Sequence, residues 1–272
     1  MAQLQQDMLD YRFRPSPRFG QNFIVDENLL ARMVDAAGLK KTDVVLEIGC
    51  GTGFLTEMLL RHCKVVGVEN DESLVELLRE KFGGGKGFTL VGESFLAAEL
   101  PKFTKVVALP PYNISSEIML RLFECRFEKA VLVFQREFVE KMTALPGFKE
   151  HGHLSVLTDL LFKPMVLIQN ISPKAFYPKP STYSSLVVLE PKKTLVPAKD
   201  IPLFISFTKN VFRYKNKNLS NSLKNCFREM NGKARTTREL EAFIEKKGLA
   251  DLKTNLLSTE ELVGVFTRIS RV

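Results

Sequence analysis

Short apolar runs rich in Val, Leu and Ile recur at 43–48, 64–69, 87–91, 104–109, 130–134, 163–170 and 183–190. Between them, 53–61, 71–82, 114–124, 135–143 and 151–161 space their apolar residues three and four apart, which places them on one face of a helix. Alternation of this kind predicts an α/β fold, a mostly parallel sheet with helices on both faces. The last two runs have no helical stretch between them, so one is expected to run antiparallel. Pro191–Pro197 reads as a linker, and beyond it 200–212, 217–230, 237–247 and 258–268 look helical, with Asn231-Gly232 and Gly248 as stops. The expected organisation is an α/β domain over 1–191 and a small all-helical domain over 197–272.

Length and charge sharpen this outline. A chain of 272 residues can build one large domain and one small one. Residues 191–272 carry 17 Lys and Arg against 8 Asp and Glu, whereas the first 190 carry 22 against 23. A near-neutral catalytic portion with a basic appendage points to a polyanionic partner, most simply nucleic acid; the plainer reading is a solvated helical surface. No apolar run approaches the roughly 18 residues of a membrane span, and Asp7 and Asp10 interrupt any leader-like core at the start. Cys50, Cys63, Cys125 and Cys226 are scattered with no Cys-x-x-Cys, and the three histidines lie at 62, 151 and 153, so neither a metal site nor a disulfide framework is expected. The protein reads as reduced, cytoplasmic and monomeric. Gly83-Gly84-Gly85-Lys86-Gly87 lacks the Gly-Lys-Ser/Thr ending of a phosphate loop and reads as a flexible turn.

The sharpest signal is at 44–53. Val44-Val45-Leu46 leads to Glu47 and then to Gly49, Gly51 and Gly53, with helical sequence beyond. A strand ending in such a loop brings bare backbone close to a ligand, because no Cβ stands in the way. Glu69 follows Gly49 by 20 positions, at the end of the run Val65–Val68, where an acid in an α/β unit typically accepts ribose hydroxyls. The dinucleotide fingerprint needs another glycine where Phe54 stands, which argues against a nicotinamide oxidoreductase. Glu-x-Gly-x-Gly-x-Gly is instead typical of S-adenosylmethionine-dependent methyltransferases with a Rossmann-like, seven-stranded domain. A glycine-rich turn without a ligand explains the glycines but not the paired acids Glu47 and Glu69.

Four further segments narrow the substrate. Arg18-Phe19-Gly20-Gln21-Asn22-Phe23-Ile24, preceded by Arg12 and Arg14, reads as an N-terminal arm. Gly92-Glu93-Ser94-Phe95 follows the third strand, where Glu93 can accept from an exocyclic amine or simply cap a helix. Ala108-Leu109-Pro110-Pro111-Tyr112-Asn113-Ile114-Ser115-Ser116 ends the fourth strand; ligands of open α/β sheets sit off such carboxyl ends, and a proline-stiffened turn presents carbonyls and a ring face. Its plainer reading is a rigid strand-to-helix turn. Ser172–Ser184 holds three prolines, with Phe176 and Tyr177 expected to be displayed between Lys174 and Lys179, a mixture suited to an unstacked base and its phosphates.

Taken in order, Phe19-Gly20-Gln21-Asn22-Phe23, Glu47-x-Gly49-x-Gly51-x-Gly53, Pro111-Tyr112-Asn113-Ile114-Ser115-Ser116 and Ala175-Phe176-x-Pro178-x-Pro180 resemble the KsgA-type ribosomal RNA adenine dimethyltransferases, within the wider group that includes the Erm enzymes. Gln135-Arg136-Glu137-Phe138 and Gly152-His153-Leu154-Ser155-Val156 match as well and look closest to archaeal and eukaryotic members. The resemblance implies dimethylation of two adjacent adenosines in a hairpin loop near the 3′ end of small-subunit rRNA, on the immature small subunit, with S-adenosylmethionine as donor. By position it implies that Asn22 and Ile24 contact the donor from the arm. Glu47, Gly49, Gly51, Gly53 and Leu109 would surround it, with Gly49 at its methionine part, Glu69 at its ribose and Glu93 at its adenine amine. Leu109, Pro110, Tyr112 and Phe176 would hold the target adenine, the two rings sandwiching it. Arg18, Lys174, Lys179, Arg213, Lys215, Lys217 and Lys224 would contact RNA.

One position departs from the pattern. The family's turn reads Asn-Leu-Pro-Tyr or Asn-Ile-Pro-Tyr, and Leu109 stands where Asn belongs. Leucine cannot accept the hydrogen bond that would orient the target amine, and loss of one such contact at a transition state typically costs about 3–4 kcal/mol. Backbone carbonyls of Leu109 and Pro110 are expected to compensate. Two other readings follow: a small-subunit assembly factor that binds rRNA and donor but methylates weakly or not at all, and an Erm-like enzyme of the large subunit.

Overall fold

The computed structural model of the protein describes residues 1–11, 13–16, 20–229 and 238–269. The chain divides into two compact units, Met1–Val139 with Pro164–Pro191, and Glu140–Lys163 with Lys192–Val272. The first carries the sheet.

The strands are β1 (Phe23–Ile24), β2 (Val44–Ile48), β3 (Lys64–Val68), β4 (Phe88–Val91), β5 (Lys105–Ala108), β6 (Lys129–Gln135), β7 (Phe162–Ile171), β8 (Phe176–Tyr177) and β9 (Ser184–Pro191). Seven of them form one sheet in the order β4-β3-β2-β5-β6-β9-β7, and these are the seven runs expected from the sequence. β2 to β6 pair in parallel, and β9 lies antiparallel against β6, with Gln135 opposite Ser184. From β2 the chain builds outward to β4 and then returns to β5 on the other flank of β2. That reversal opens a crevice beyond the carboxyl ends of β2 and β5.

Burial explains why the central runs are continuous rather than alternating, whereas β7 at the sheet edge is largely exposed. In β6, Ala130 to Phe134 are all fully buried, as are Val106, Val107 and Ala108 of β5, because helices cover both faces of a central parallel strand. α2 (Glu27–Ala37) packs Leu29, Leu30, Met33 and Val34 on one face; α1 (Ala2–Asp10) and α4 (Glu72–Phe82) bring Leu4, Leu74, Leu77 and Leu78 together in a second cluster. Neither α1 nor α2 was anticipated. α2 starts at Asp26, whose carboxylate accepts from Asn28 N–H and Leu29 N–H at 3.0 and 3.2 Å, and stops at Gly38 with φ of 56°. α3 (Phe54–Leu60), α5 (Ser115–Leu122) and α6 (Arg136–Met142) fall within stretches the spacing marked as helical.

At their amino ends β2 and β5 are tied by a buried ion pair. Lys105 Nζ lies 2.9 Å from Asp43, both side chains 6% exposed, and it also donates to Gly38 O at 2.7 Å. Burial alone would raise the Asp43 carboxyl, but donation from Lys105, Lys40 N–H and Thr104 outweighs it and holds the group below its ordinary value.

The second unit contains α7 (His153–Leu161), α8 (Ile201–Phe212), α9 (Leu219–Glu229), α10 (Arg238–Lys246) and α11 (Thr259–Ile269). Phe204, Phe207 and Phe266 form its aromatic centre, with ring centroids 5.1 to 5.9 Å apart. The expected stop at Asn231-Gly232 lies outside the described residues. No helix among the described residues is long and apolar enough to cross a membrane.

Candidate active site

A cleft of about 260 Å³ opens at the switch point. It is bounded by the arm (Gly20–Ile24), the glycine loop after β2, Glu69 and Asn70 after β3, Glu93–Leu96 after β4, and Leu109–Ile114 after β5. All of these belong to the first unit.

The glycine loop is shaped by what it approaches. Gly51 has φ of 57°, and a Cβ there would lie 2.9 Å from the Phe23 ring, so only glycine lets β1 close over the loop. A Cβ on Gly49, at φ 76°, would stand 3.4 Å from Pro111 Cδ and 3.7 Å from Leu109 O, narrowing the gap between the loop and the facing turn. Gly53 starts α3 and packs on Phe82 instead; it does not line the cleft.

Two carboxylates sit behind the loop. Glu69 is 7% exposed; its Oε2 accepts from Gly51 N–H at 2.9 Å, and its Oε1 from Asn70 N–H and Asp71 N–H at 2.9 and 3.1 Å. Burial raises this carboxyl although the three amides oppose the shift. Glu47 is 1% exposed and accepts from the Thr56 hydroxyl at 2.6 Å. Burial pushes its carboxyl from 4.5 up to about 8, against hydrogen bonds from Thr56 and Cys50 and with help from the charge on Glu69. At neutral pH Glu47 is therefore held largely protonated. Burial, together with the charges on Glu47 and Glu69, also pushes the Cys50 thiol well up, which leaves it a neutral packing residue.

Polar ties connect the arm to this machinery. Gln21 Oε1 accepts from Ser16 N–H at 2.8 Å, while Gln21 Nε2 donates to Asp71 at 2.8 Å. Asp71 in turn caps α4 through Ser73 N–H. From the other side, Lys81 Nζ bridges Asp7 of α1 and Thr52 O of the glycine loop, at 2.7 and 3.3 Å. The sequence reading gave Gln21 and Asn70 no role, although both line the cleft; their signals were the position of Gln21 inside the arm motif and of Asn70 directly after Glu69.

Opposite the loop, Pro110 and Pro111 lead into a short 3-10 turn at Tyr112–Ile114. The Tyr112 hydroxyl lies 2.7 Å from Ser184 Oγ, and burial raises the phenol further, so it stays neutral. Leu109 lines the cleft and packs against the main core.

Of the expected site residues, Asn22, Ile24, Glu47, Gly49, Gly51, Glu69, Glu93, Leu109, Pro110 and Tyr112 come together around the cleft. Phe176 does not. Expected to be displayed, it is 2% exposed and packed in the core, because β8 pairs with β1 and sets Phe176 opposite Ile24. Lys174 and Lys179 are exposed near it in sequence. In the second unit Arg213, Lys217 and Lys224 are exposed, and Lys215 is partly covered, its Nζ donating to Lys149 O at 2.7 Å. Arg18 lies outside the described residues.

The model of the ribosomal RNA adenine dimethylase family matches residues 12–259. The chain belongs to that family. It is therefore an S-adenosylmethionine-dependent rRNA methyltransferase. It is 41% identical over 216 residues to the probable ribosomal RNA small subunit methyltransferase A of Methanopyrus kandleri, covering 78% of this chain and 77% of that one. A relative from Caldanaerobacter subterraneus, named ribosomal RNA small subunit methyltransferase A, is 40% identical over 219 residues, with 76% and 81% covered. Among solved structures, a dimethyladenosine transferase from Plasmodium falciparum shares the fold with a TM-score of 0.76 at 24% identity, over 92% of this chain and 98% of that one. The 23S rRNA methyltransferase ErmE gives 0.66 at 28% identity, over 92% and 100%. The seven-stranded Rossmann-like reading of this chain is thus borne out.

Proposed function

We propose that this family member dimethylates the N6 amines of two adjacent adenosines in a hairpin loop near the 3′ end of small-subunit rRNA, acting on the immature subunit as a cytoplasmic monomer. The names of its relatives from Methanopyrus kandleri and Caldanaerobacter subterraneus favour the small subunit. The observation that carries the site reading is the cleft itself: two buried acids behind a close-approach glycine loop, facing a rigid turn that ends in an aromatic ring.

S-adenosylmethionine supplies an electrophilic methyl group on a good leaving group, so the protein's task is alignment rather than strong base catalysis. Glu69, held by three amides, would accept from a ribose hydroxyl with the acceptor site left on Oε2. Glu93 would receive the adenine amine, Asn22 and Ile24 would close the arm over the donor, and Glu47, Gly49 and Gly51 would frame it. Tyr112 would offer a stacking face to the splayed adenine; extrusion from an unpaired loop is cheap. Carbonyl oxygens of Leu109 and Pro110 would accept the amine's hydrogens. Lys174, Lys179 and the basic residues at Arg213, Lys215, Lys217 and Lys224, with Arg18, would bind phosphates in a salt-sensitive manner. We also place the working boundary between a methyltransferase part, 1–191, and a basic helical part, 197–272.

The test is transfer from tritiated donor to small subunits lacking the modification, followed by nucleoside analysis. N6,N6-dimethyladenosine at two neighbouring positions is the expected product. Subunit binding without transfer would point to the assembly-factor reading, and modification of large-subunit RNA would point to the Erm-like one.

A further inference from the structure

With Phe176 in the core, the exposed ring of the proline-rich segment is another one. Tyr183 keeps 47% of its surface exposed, and the guanidinium carbon of Arg136 lies 5.8 Å from its ring centroid. Backbone and side chain hold the pair in place: Arg136 N–H donates to Tyr183 O at 2.9 Å, and Arg136 Nη1 reaches Asn170 Oδ1 at 3.4 Å.

The position of the pair matters as much as its chemistry. Ser184 stands opposite Gln135 in the β6–β9 ladder, so Tyr183 and Arg136 lie just beyond the carboxyl end of β6. That is the end of the sheet at which the cleft opens. The residue after Tyr183 shares the hydrogen bond with the Tyr112 hydroxyl. Tyr183 leads into β9, two strands from β5 in the order β5-β6-β9, and strands lie about 4.8 Å apart, so its backbone stands roughly 10 Å from the end of β5. The Tyr112 side chain crosses that interval to Ser184, the residue next to Tyr183, which brings Tyr183 within reach of a nucleotide adjoining the target. An exposed ring beside a guanidinium offers an unpaired base a stacking surface and its phosphate a counter-charge.

We propose that Tyr183 and Arg136 form a stacking platform for the nucleotide adjoining the target adenosine. This rests on the rRNA reading above and adds a subsite to it: while one adenosine occupies the cleft, its neighbour rests on Tyr183. Two adjacent adenosines could then be presented in turn without release of the hairpin.

The test uses the full chain and a synthetic hairpin with two adjacent adenosines, 2-aminopurine replacing the one next to the target. Wild type should bind it and quench the probe by stacking. Tyr183→Ala should weaken hairpin binding about tenfold, abolish the quench and raise KM for RNA more than it lowers kcat. Tyr183→Phe should keep all three, and donor affinity measured by calorimetry should match wild type in both variants. A Tyr183→Ala protein that binds and quenches like wild type overturns the platform, as does a wild type that binds without quenching. A wild type that does not bind the hairpin overturns the platform, whereas the dimethylation reading is decided separately by transfer to small subunits lacking the modification.

Discussion

Glu69 is fixed by three backbone amides, whereas the turn facing it, Leu109–Tyr112, is fixed by two proline rings and one shared phenol hydroxyl. The glycine-loop wall is thus a hydrogen-bonded lattice in which each polar group depends on its neighbours. The proline wall is covalently stiff and depends on few of them. A substitution in the lattice should spread from residue to residue, while one in the turn should act where it is made.

Replacing Glu69 by Ala should have the largest effect, because it removes a ribose acceptor and leaves three amides unsatisfied. Charge-assisted hydrogen bonds contribute about 1.5–3 kcal/mol each, so donor affinity in calorimetry should fall at least about a hundredfold, together with a lowered Tm. An unchanged donor affinity would sink the lattice side of the comparison. Leu109→Asn comes next and should act locally. Restoring an oriented amide acceptor should raise kcat by a factor of about 10–10², short of the full oxyanion-type contribution, with donor affinity little changed and Tm lowered, because Leu109 also packs against the main core.

Glu47→Gln gives a smaller, pH-dependent effect. The wild-type carboxyl moves from 4.5 in the unfolded chain to about 8 in the folded one. Between these values the native state holds a proton that the unfolded state has released, so this group's contribution is full below about 4.5 and is lost as pH rises through about 8. Glutamine cannot ionise, so chemical denaturation of the variant across this range should show a flatter pH dependence. Smallest of all, Gln21→Ala should loosen the arm by about 1 kcal/mol, visible as faster limited proteolysis near residue 16 with nearly unchanged global stability.

These contrasts also explain which features were legible in the sequence. The central strands could be read because burial on both faces makes their runs continuous, and the glycine loop because its spacing follows from close approach; β7 is largely exposed and was legible only from its run of apolar residues. The pairing of β1 with β8 could not: two-residue strands carry no periodicity, and their register, Phe23 with Tyr177, is set by tertiary contact. That pairing is also why Phe176 turned inward against expectation. α2 did have a readable signal, Asp26 and Gly38 around apolar residues at helical spacing, but the sequence reading assigned nothing to 27–37. Glu47 and Glu69 were visible as a pair, yet the proton on one and the amides on the other follow from burial, which no single stretch of sequence encodes.

The register between β2 and β5 covers only two positions, Val45 with Lys105 and Leu46 with Val106, against five between β2 and β3. Where the crevice opens, then, the sheet is a short seam, and the Asp43–Lys105 pair at its far end serves as the rivet. Asp43 titrates below its ordinary value, so its stabilisation is present above the unfolded value and disappears as pH falls through the folded one. Acid should accordingly reach the two cleft carboxyls first, since burial raises both Glu47 and Glu69, and loosen the seam at its remote end only at the lower pH where Asp43 takes up its proton.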